Sequence, residues 1–78
     1  MIIIGERLKQ LRKEKNVTQK AMATAVGVTE ASYQRFEYGT VRPGLPKLIV
    51  LADYFDVSLD YLVGRIDKHW KFIQQANK

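Results

Sequence analysis

Three segments of this chain begin with a hydroxyl side chain and end with a glycine, and this pattern constrains the fold more than any other feature. The segments run from Thr18 to Gly27, from Thr29 to Gly39 and from Ser58 to Gly64. A Ser or Thr hydroxyl accepts a hydrogen bond from an otherwise unpaired amide in the first turn of a helix. Glycine readily takes the left-handed conformation that follows the last turn. Each segment is therefore predicted to be a short helix with defined ends.

Apolar spacing predicts two further helices. Ile4, Leu8 and Leu11 step by four and three among charged residues, which predicts an amphipathic first helix that ends near Asn16. The stretch "LPKLIVLADYF" predicts the other, with a proline that the first turn tolerates. Its apolar face is expected to hold five side chains, namely Leu45, Leu48, Leu51, Ala52 and Phe55.

These helices predict an all-α fold, because the sequence contains no convincing strand, internal repeat or low-complexity tract. We expect a compact five-helix domain over residues 1–64 and a C-terminal extension over residues 65–78. The extension is predicted to be helical, since Ile66, Trp70 and Ile73 are spaced four and three apart. Hydrophobic residues make up 46% of the chain and cysteine is absent, so the core must form without disulfides.

The charge of the chain favours a polyanionic partner. The formal net charge is +5, and it is unevenly spread: residues 1–16 carry five bases and two acids, whereas residues 45–64 carry one base and three acids. Residues 65–78 carry four bases and one acid. Nucleic acid is the commonest partner of such a protein, and a merely soluble basic surface is the alternative that composition leaves open.

Other classes of protein fit the sequence poorly. The opening "MIIIGERLKQ" has too few apolar residues for a signal peptide or a membrane span, so the cytoplasm is the simplest location. One histidine, His69, no cysteine and scattered carboxylates offer neither a catalytic constellation nor a metal site. We expect no enzyme activity and no cofactor.

The two helices predicted between residues 18 and 38 are joined by a short turn that contains glycine, which is the pattern of a helix-turn-helix. The segments "LRKEKNVTQ", "AVGVT", "FEYG", "RPGLPKLIVLA" and "FDVSLDYLVG" follow in order. Together they resemble the lambda repressor/Cro-type (XRE-like) helix-turn-helix family, and the resemblance covers Ile4 to Gly64. It implies a five-helix domain that binds double-stranded DNA, usually as a dimer on a two-fold symmetric operator.

The resemblance implies that the helix over residues 30–38 enters the major groove as the recognition helix. Its spacing turns Tyr33, Phe36 and Ser32 towards the domain. Arg35 is the leading candidate for reading a base, because its planar fork matches guanine O6 and N7; a solvated surface arginine is the alternative. The full set of predicted base contacts is Arg35, Gln34, Glu30, Ala31 and Thr29.

Backbone contacts to DNA are predicted on both sides of that helix. Gln19 matches a glutamine that the family uses for phosphate contact, and the first turn of its helix favours an anion. The full set of predicted phosphate contacts is Gln19, Lys20, Tyr38, Thr40, Arg42 and Lys47, with ordinary surface polarity as the alternative for each. Arg12 and Glu37 match a family pair that forms a salt bridge, so we expect Glu37 to matter without touching DNA.

The extension suggests a second kind of partner. Trp70, Phe72 and Ile73 lie on a short basic segment and could mediate self-association or dock another protein, as an antitoxin docks its toxin. Alternatively, Trp70 packs back on the fifth helix. The predicted function is a DNA-binding transcriptional regulator, most simply a repressor, and a protein-interaction module is the rival.

Overall fold

The computed structural model describes residues 3–66, and this part of the chain contains five helices and no strand. The helices are α1 (Ile3–Lys15), α2 (Gln19–Val26), α3 (Glu30–Tyr38), α4 (Leu45–Phe55) and α5 (Leu59–Leu62). The predicted all-α, five-helix architecture is confirmed. The predicted sixth helix lies almost wholly outside the described residues, and Arg65 and Ile66, which are described, are not helical.

The helix ends lie where their capping residues predict. Thr18 accepts a hydrogen bond from the Ala21 amide at 3.0 Å, and Ser58 accepts one from the Tyr61 amide at 3.0 Å. Gly27, with a φ of 82°, ends α2 in the left-handed conformation, as predicted. These local bonds satisfy backbone groups that a helix leaves unpaired at its ends.

Two helices are followed by a non-glycine residue in the left-handed conformation. Asn16 follows α1 with a φ of 60°, and Asp56 follows α4 with a φ of 56°. Asn and Asp tolerate this conformation better than other side chains because their short polar groups bond locally. Gly44 precedes α4 without a side-chain hydrogen bond, and Pro46 occupies its first turn. The first turn of α4 therefore keeps backbone donors that no side chain caps.

The core lies between α3 and the helices around it. α3 packs against both α1 and α2, while α4 and α5 close the opposite side. The largest fully buried side chains come from every helix and from the turn before α5: Leu8, Met22, Tyr33, Leu51, Val57 and Leu62. One continuous cluster of this kind is what a short helical domain without disulfides requires.

The apolar face of α4 is covered by the core along most of its length but not at its first residue. Leu51 and Ala52 are buried and Leu48 packs against the core, but Leu45 is 60% exposed. Leu45 is the first residue of the helix, so its side chain extends past the elements that cover Leu48 and Leu51. The correct angular position on a helix does not bury a side chain that lies beyond the edge of the core.

Two contacts set the position of α1. Gly5 is buried against the end of α3, where a β-carbon would come within 2.7 Å of the Phe36 carbonyl oxygen. Arg7 donates hydrogen bonds of 2.7 Å to the carbonyl oxygens of Tyr61 and Ile66, and its guanidinium lies 4.1 Å from the Tyr61 ring centroid.

Within residues 3–66, no helix is both long and apolar enough to cross a membrane.

Candidate nucleic-acid interface

α3 has one buried side and one exposed side. Tyr33, Phe36 and Glu37 are buried, as a helix that supports a core requires. The opposite side, which we call the outer face of α3, consists of four exposed residues: Glu30, Ala31, Arg35 and Tyr38. Thr29 caps the helix by accepting from the Ser32 amide at 3.1 Å and donates its hydroxyl hydrogen to Ser32 Oγ at 3.0 Å.

Arg12 and Glu37 join α1 to α3 through a two-pronged ion pair. Arg12 Nε lies 2.7 Å from Glu37 Oε2, and Arg12 Nη2 lies 3.2 Å from Glu37 Oε1. Arg12 also donates to the Val17 carbonyl oxygen at 3.2 Å. The side chains are 14% and 2% exposed, so the pair lies largely out of water. It faces the buried side of α3 rather than the outer face.

The ionisation of this pair follows from its surroundings. Burial favours the neutral form of Glu37, but hydrogen bonds from Arg12 and Gln19 outweigh it, and the pKa of Glu37 lies below its ordinary value of 4.5. The hydrogen bond to Glu37 raises the pKa of Arg12 despite its own burial. Both groups are therefore charged at neutral pH.

Gln19 extends the pair towards a second glutamine. Its Nε2 donates to Glu37 Oε1 at 3.1 Å, and its Oε1 accepts from Gln34 Nε2 at 3.2 Å. Both glutamines were predicted to contact DNA, yet the structure also joins them to each other. Sequence reasoning missed this bond, because nothing in the spacing of two residues fifteen positions apart indicates that their amides meet.

A basic groove lies between α3 and the start of α4. It encloses about 290 Å³, and its cations are Arg35, Arg42 and Lys47. Val28, Phe36 and Pro43 contribute apolar wall. Within residues 3–66, none of these three cations forms an ion pair, whereas Arg12 and Arg65 each contact an acid. Three cations without acidic partners, beside the uncapped first turn of α4, create a local field that attracts anions.

The remaining predicted phosphate contacts, Lys20, Tyr38 and Thr40, are exposed and do not line the groove. Lys20 is exposed in the first turn of α2, and Tyr38 is 71% exposed at the end of α3. Thr40 is exposed, and its hydroxyl donates to the Arg35 carbonyl oxygen at 3.4 Å. Of the predicted contacts, the structure brings together Arg35, Arg42 and Lys47 in the basic groove, and joins Gln19 to Gln34.

Tyr33 carries a buried hydroxyl that the sequence did not reveal. The residue is 0% exposed, and within the described part of the chain its Oη has no hydrogen-bond partner. Its ring meets that of Phe36 edge to face, with centroids 6.2 Å apart. Burial, followed by the neighbouring carboxylate of Glu37, raises the pKa of Tyr33 far above its usual value. The phenol therefore stays neutral.

Some predicted residues cannot be placed. Trp70, Phe72, Ile73 and His69 lie outside the described residues, so the predicted self-association surface remains a prediction. Residues 3–66 contain no group of three His, Cys, Asp or Glu side chains that could hold a metal ion.

The fold and this surface together define a helix-turn-helix domain, in which α2, a glycine-containing turn and α3 form the motif. A model of the helix-turn-helix family matches residues 8–62. The chain belongs to this family, in its lambda-repressor-like (XRE) branch.

Relatives and solved structures agree with that assignment. The uncharacterized HTH-type transcriptional regulator YobD of Bacillus subtilis is 40% identical over 72 residues, 92% of this chain and 64% of YobD. The cryptic phage CTXphi transcriptional repressor RstR of Vibrio cholerae is 40% identical over 62 residues, 80% of this chain and 55% of RstR. The P22 c2 repressor protein, solved in complex with synthetic operator 9T, superimposes with a TM-score of 0.73 at 30% identity.

The extent of these matches differs. The superposition covers 77% of this chain and 91% of the P22 c2 chain. The chain spans less than two thirds of the length of YobD and of RstR, so both relatives extend beyond the part that it matches.

Proposed function

We propose that this protein is a transcriptional regulator that binds double-stranded DNA in a sequence-specific manner, with α3 in the major groove. The observation that carries the proposal is the basic groove, whose three cations have no acidic partner in residues 3–66 and lie beside the outer face of α3. The likeness to the P22 c2 repressor, solved with an operator, supports it. Such a function places the protein with DNA in the cytoplasm.

Arg35 is the proposed principal reader of sequence. It is exposed on the outer face and also lines the basic groove, so its guanidinium can reach a base edge without breaking an ion pair. A bidentate contact with guanine discriminates against other bases by about 1–3 kcal/mol. Glu30 and Ala31 flank it on the outer face. The hydroxyl of Thr29 is engaged in capping, which leaves its methyl group for contact with a base.

Phosphate contacts fix the orientation of α3. Lys20 and Gln19 lie at the start of α2, and Arg42 and Lys47 lie on the far side of α3. Tyr38 and Thr40 are exposed at the end of α3 and just beyond it, and each carries a hydroxyl that can donate to a phosphate. Cations on both sides of a recognition helix make affinity fall with salt and fix register without reading sequence.

We further infer a repressor that binds a two-fold symmetric operator as a dimer. Both RstR and the P22 c2 protein are repressors. A short recognition helix such as α3, nine residues long, reaches few base pairs, so two copies on two half-sites supply the specificity that one copy lacks.

Selection of bound duplexes from a random pool tests the proposal. We expect an enriched motif with two-fold symmetry, and Arg35→Ala should relax the preference at one base pair of each half-site. Arg65→Ala is the matched control, because it removes the same charge from a side chain that is 75% exposed and paired with Asp60. Lack of enrichment would contradict the proposed function, and an unchanged motif with Arg35→Ala would contradict the role of Arg35 as the principal reader.

A further inference from the structure

The hydrogen bonds around Glu37 run in one direction. An ionised carboxylate only accepts hydrogen bonds, so Gln19 must present its Nε2 to Glu37. Its Oε1 then points the other way and requires a donor, which is the Nε2 of Gln34 at 3.2 Å. The charge of Glu37 thus determines the orientation of two side-chain amides in succession.

Gln19 has one hydrogen left after these bonds. Its Nε2 carries two hydrogens, of which Glu37 receives one, and no other acceptor for Gln19 is present among residues 3–66. Gln19 is also the first residue of α2, where first-turn amides and the helix dipole favour an anion. A phosphate oxygen therefore suits the second hydrogen.

We propose that Gln34 is a positioning residue, which holds the Gln19 amide so that its second Nε2 hydrogen donates to a DNA phosphate. The inference rests on the proposed function and assigns Gln34 a role different from that of Arg35. Gln34 is only half-exposed, and its amide is turned to α2, whereas Arg35 is exposed and turned to the groove.

The two roles predict different effects on binding. A reader acts on one base pair, so its loss changes the preferred sequence. Gln34 acts through Gln19 on the backbone, so its loss should weaken all duplexes by the same factor. Replacing Gln34 should also have no effect on DNA affinity once Gln19 itself has been replaced.

A double-mutant cycle separates these outcomes. Gln34→Met keeps the side-chain volume and removes the donor, and we expect it to weaken binding by about two- to ten-fold on every duplex, the range of a single hydrogen bond. In a Gln19→Met background it should add no further loss. Gln10→Met is the control, since within residues 3–66 the exposed Gln10 side chain bonds only to Glu14 of the same helix. A changed base preference, or a loss that persists without Gln19, overturns the proposal.

A measurement without DNA keeps this test distinct from that of the function. In the free protein, the side-chain amide resonances of Gln19 should shift in Gln34→Met and stay in place in the control Gln10→Met. Unchanged resonances in Gln34→Met would refute the positioning role even if the protein binds DNA. Absence of any preferred duplex, with the Gln19 resonances responding as expected, would instead reject the proposed function. The thermal midpoint is recorded for each variant, because weakening that tracks lost stability would also refute positioning.

Discussion

Replacing Arg12 by methionine tests the frame that supports α3. Methionine fills the space of the arginine stem but removes the hydrogen bonds to both Glu37 oxygens and to the Val17 carbonyl. Glu37 is left buried with Gln19 as a donor. Removing one partner of a buried pair costs about 3–5 kcal/mol, and the remaining donor puts the loss near 3 kcal/mol. A domain of this size has a total stability on the order of 5–10 kcal/mol.

The stability lost in Arg12→Met should depend on pH, and the pKa of Glu37 determines whether the loss grows or shrinks in acid. In the native protein the pKa of Glu37 lies below 4.5, so its contribution is complete above that value and is lost as pH falls through the lowered pKa. In Arg12→Met, Glu37 loses the hydrogen bond that does most to lower its pKa, whereas burial still raises that pKa. Protonation then relieves an unpaired buried charge, so the deficit relative to the native protein should shrink in acid.

Urea unfolding followed by circular dichroism measures both effects, at about pH 7 and about pH 4. Arg65→Met is the matched control, because Arg65 and Asp60 are 3.3 Å apart and the arginine is 75% exposed. Such a surface pair contributes at most about 1 kcal/mol. The reasoning fails if Arg12→Met costs no more than Arg65→Met, or if its cost is the same at both pH values.

Other substitutions test the packing of the core, and the free energy of unfolding is the quantity measured for each. Gly5→Ala should cost more than about 2 kcal/mol because its β-carbon would lie 2.7 Å from the Phe36 carbonyl oxygen, and a neutral result would contradict this contact. Tyr33→Phe should be neutral or stabilising, since it removes a buried hydroxyl that has no hydrogen-bond partner within residues 3–66; a loss above about 1 kcal/mol would contradict this. Leu45→Ser should cost under about 0.5 kcal/mol and Leu51→Ala about 2–5 kcal/mol, and equal costs would refute the difference in burial between these two residues.

The helix ends could be predicted because the interactions that determine them are local. Thr18 accepts a hydrogen bond from an amide three residues later, and Gly27 ends its helix because glycine can adopt a positive φ. The identity of one residue therefore largely determines where each of these helix ends lies. The same holds for the buried side of α3, where Tyr33 and Phe36 follow from helical spacing.

Contacts between distant residues could not be predicted in the same way. Arg7 counts as a basic residue in the sequence, but its guanidinium is held by two carbonyl groups and the ring of Tyr61. In the sequence, Gln19 and Gln34 are two unrelated polar residues, although in the structure their side chains form a hydrogen bond. Such pairings depend on the distances between packed helices, and these distances follow from the whole core rather than from any one segment.

The contact of Gly5 with the end of α3 has a consequence for how this domain can diverge. Side chains such as Leu8 can adopt other rotamers when a neighbour changes, but the contact at Gly5 joins backbone to backbone and has no side chain to rearrange. Substitutions elsewhere in the core can therefore rotate α3 about this point without separating it from α1. New sequence preferences would then arise from the exposed residues of α3 and from its angle, while the spacing of the two helices stays constant.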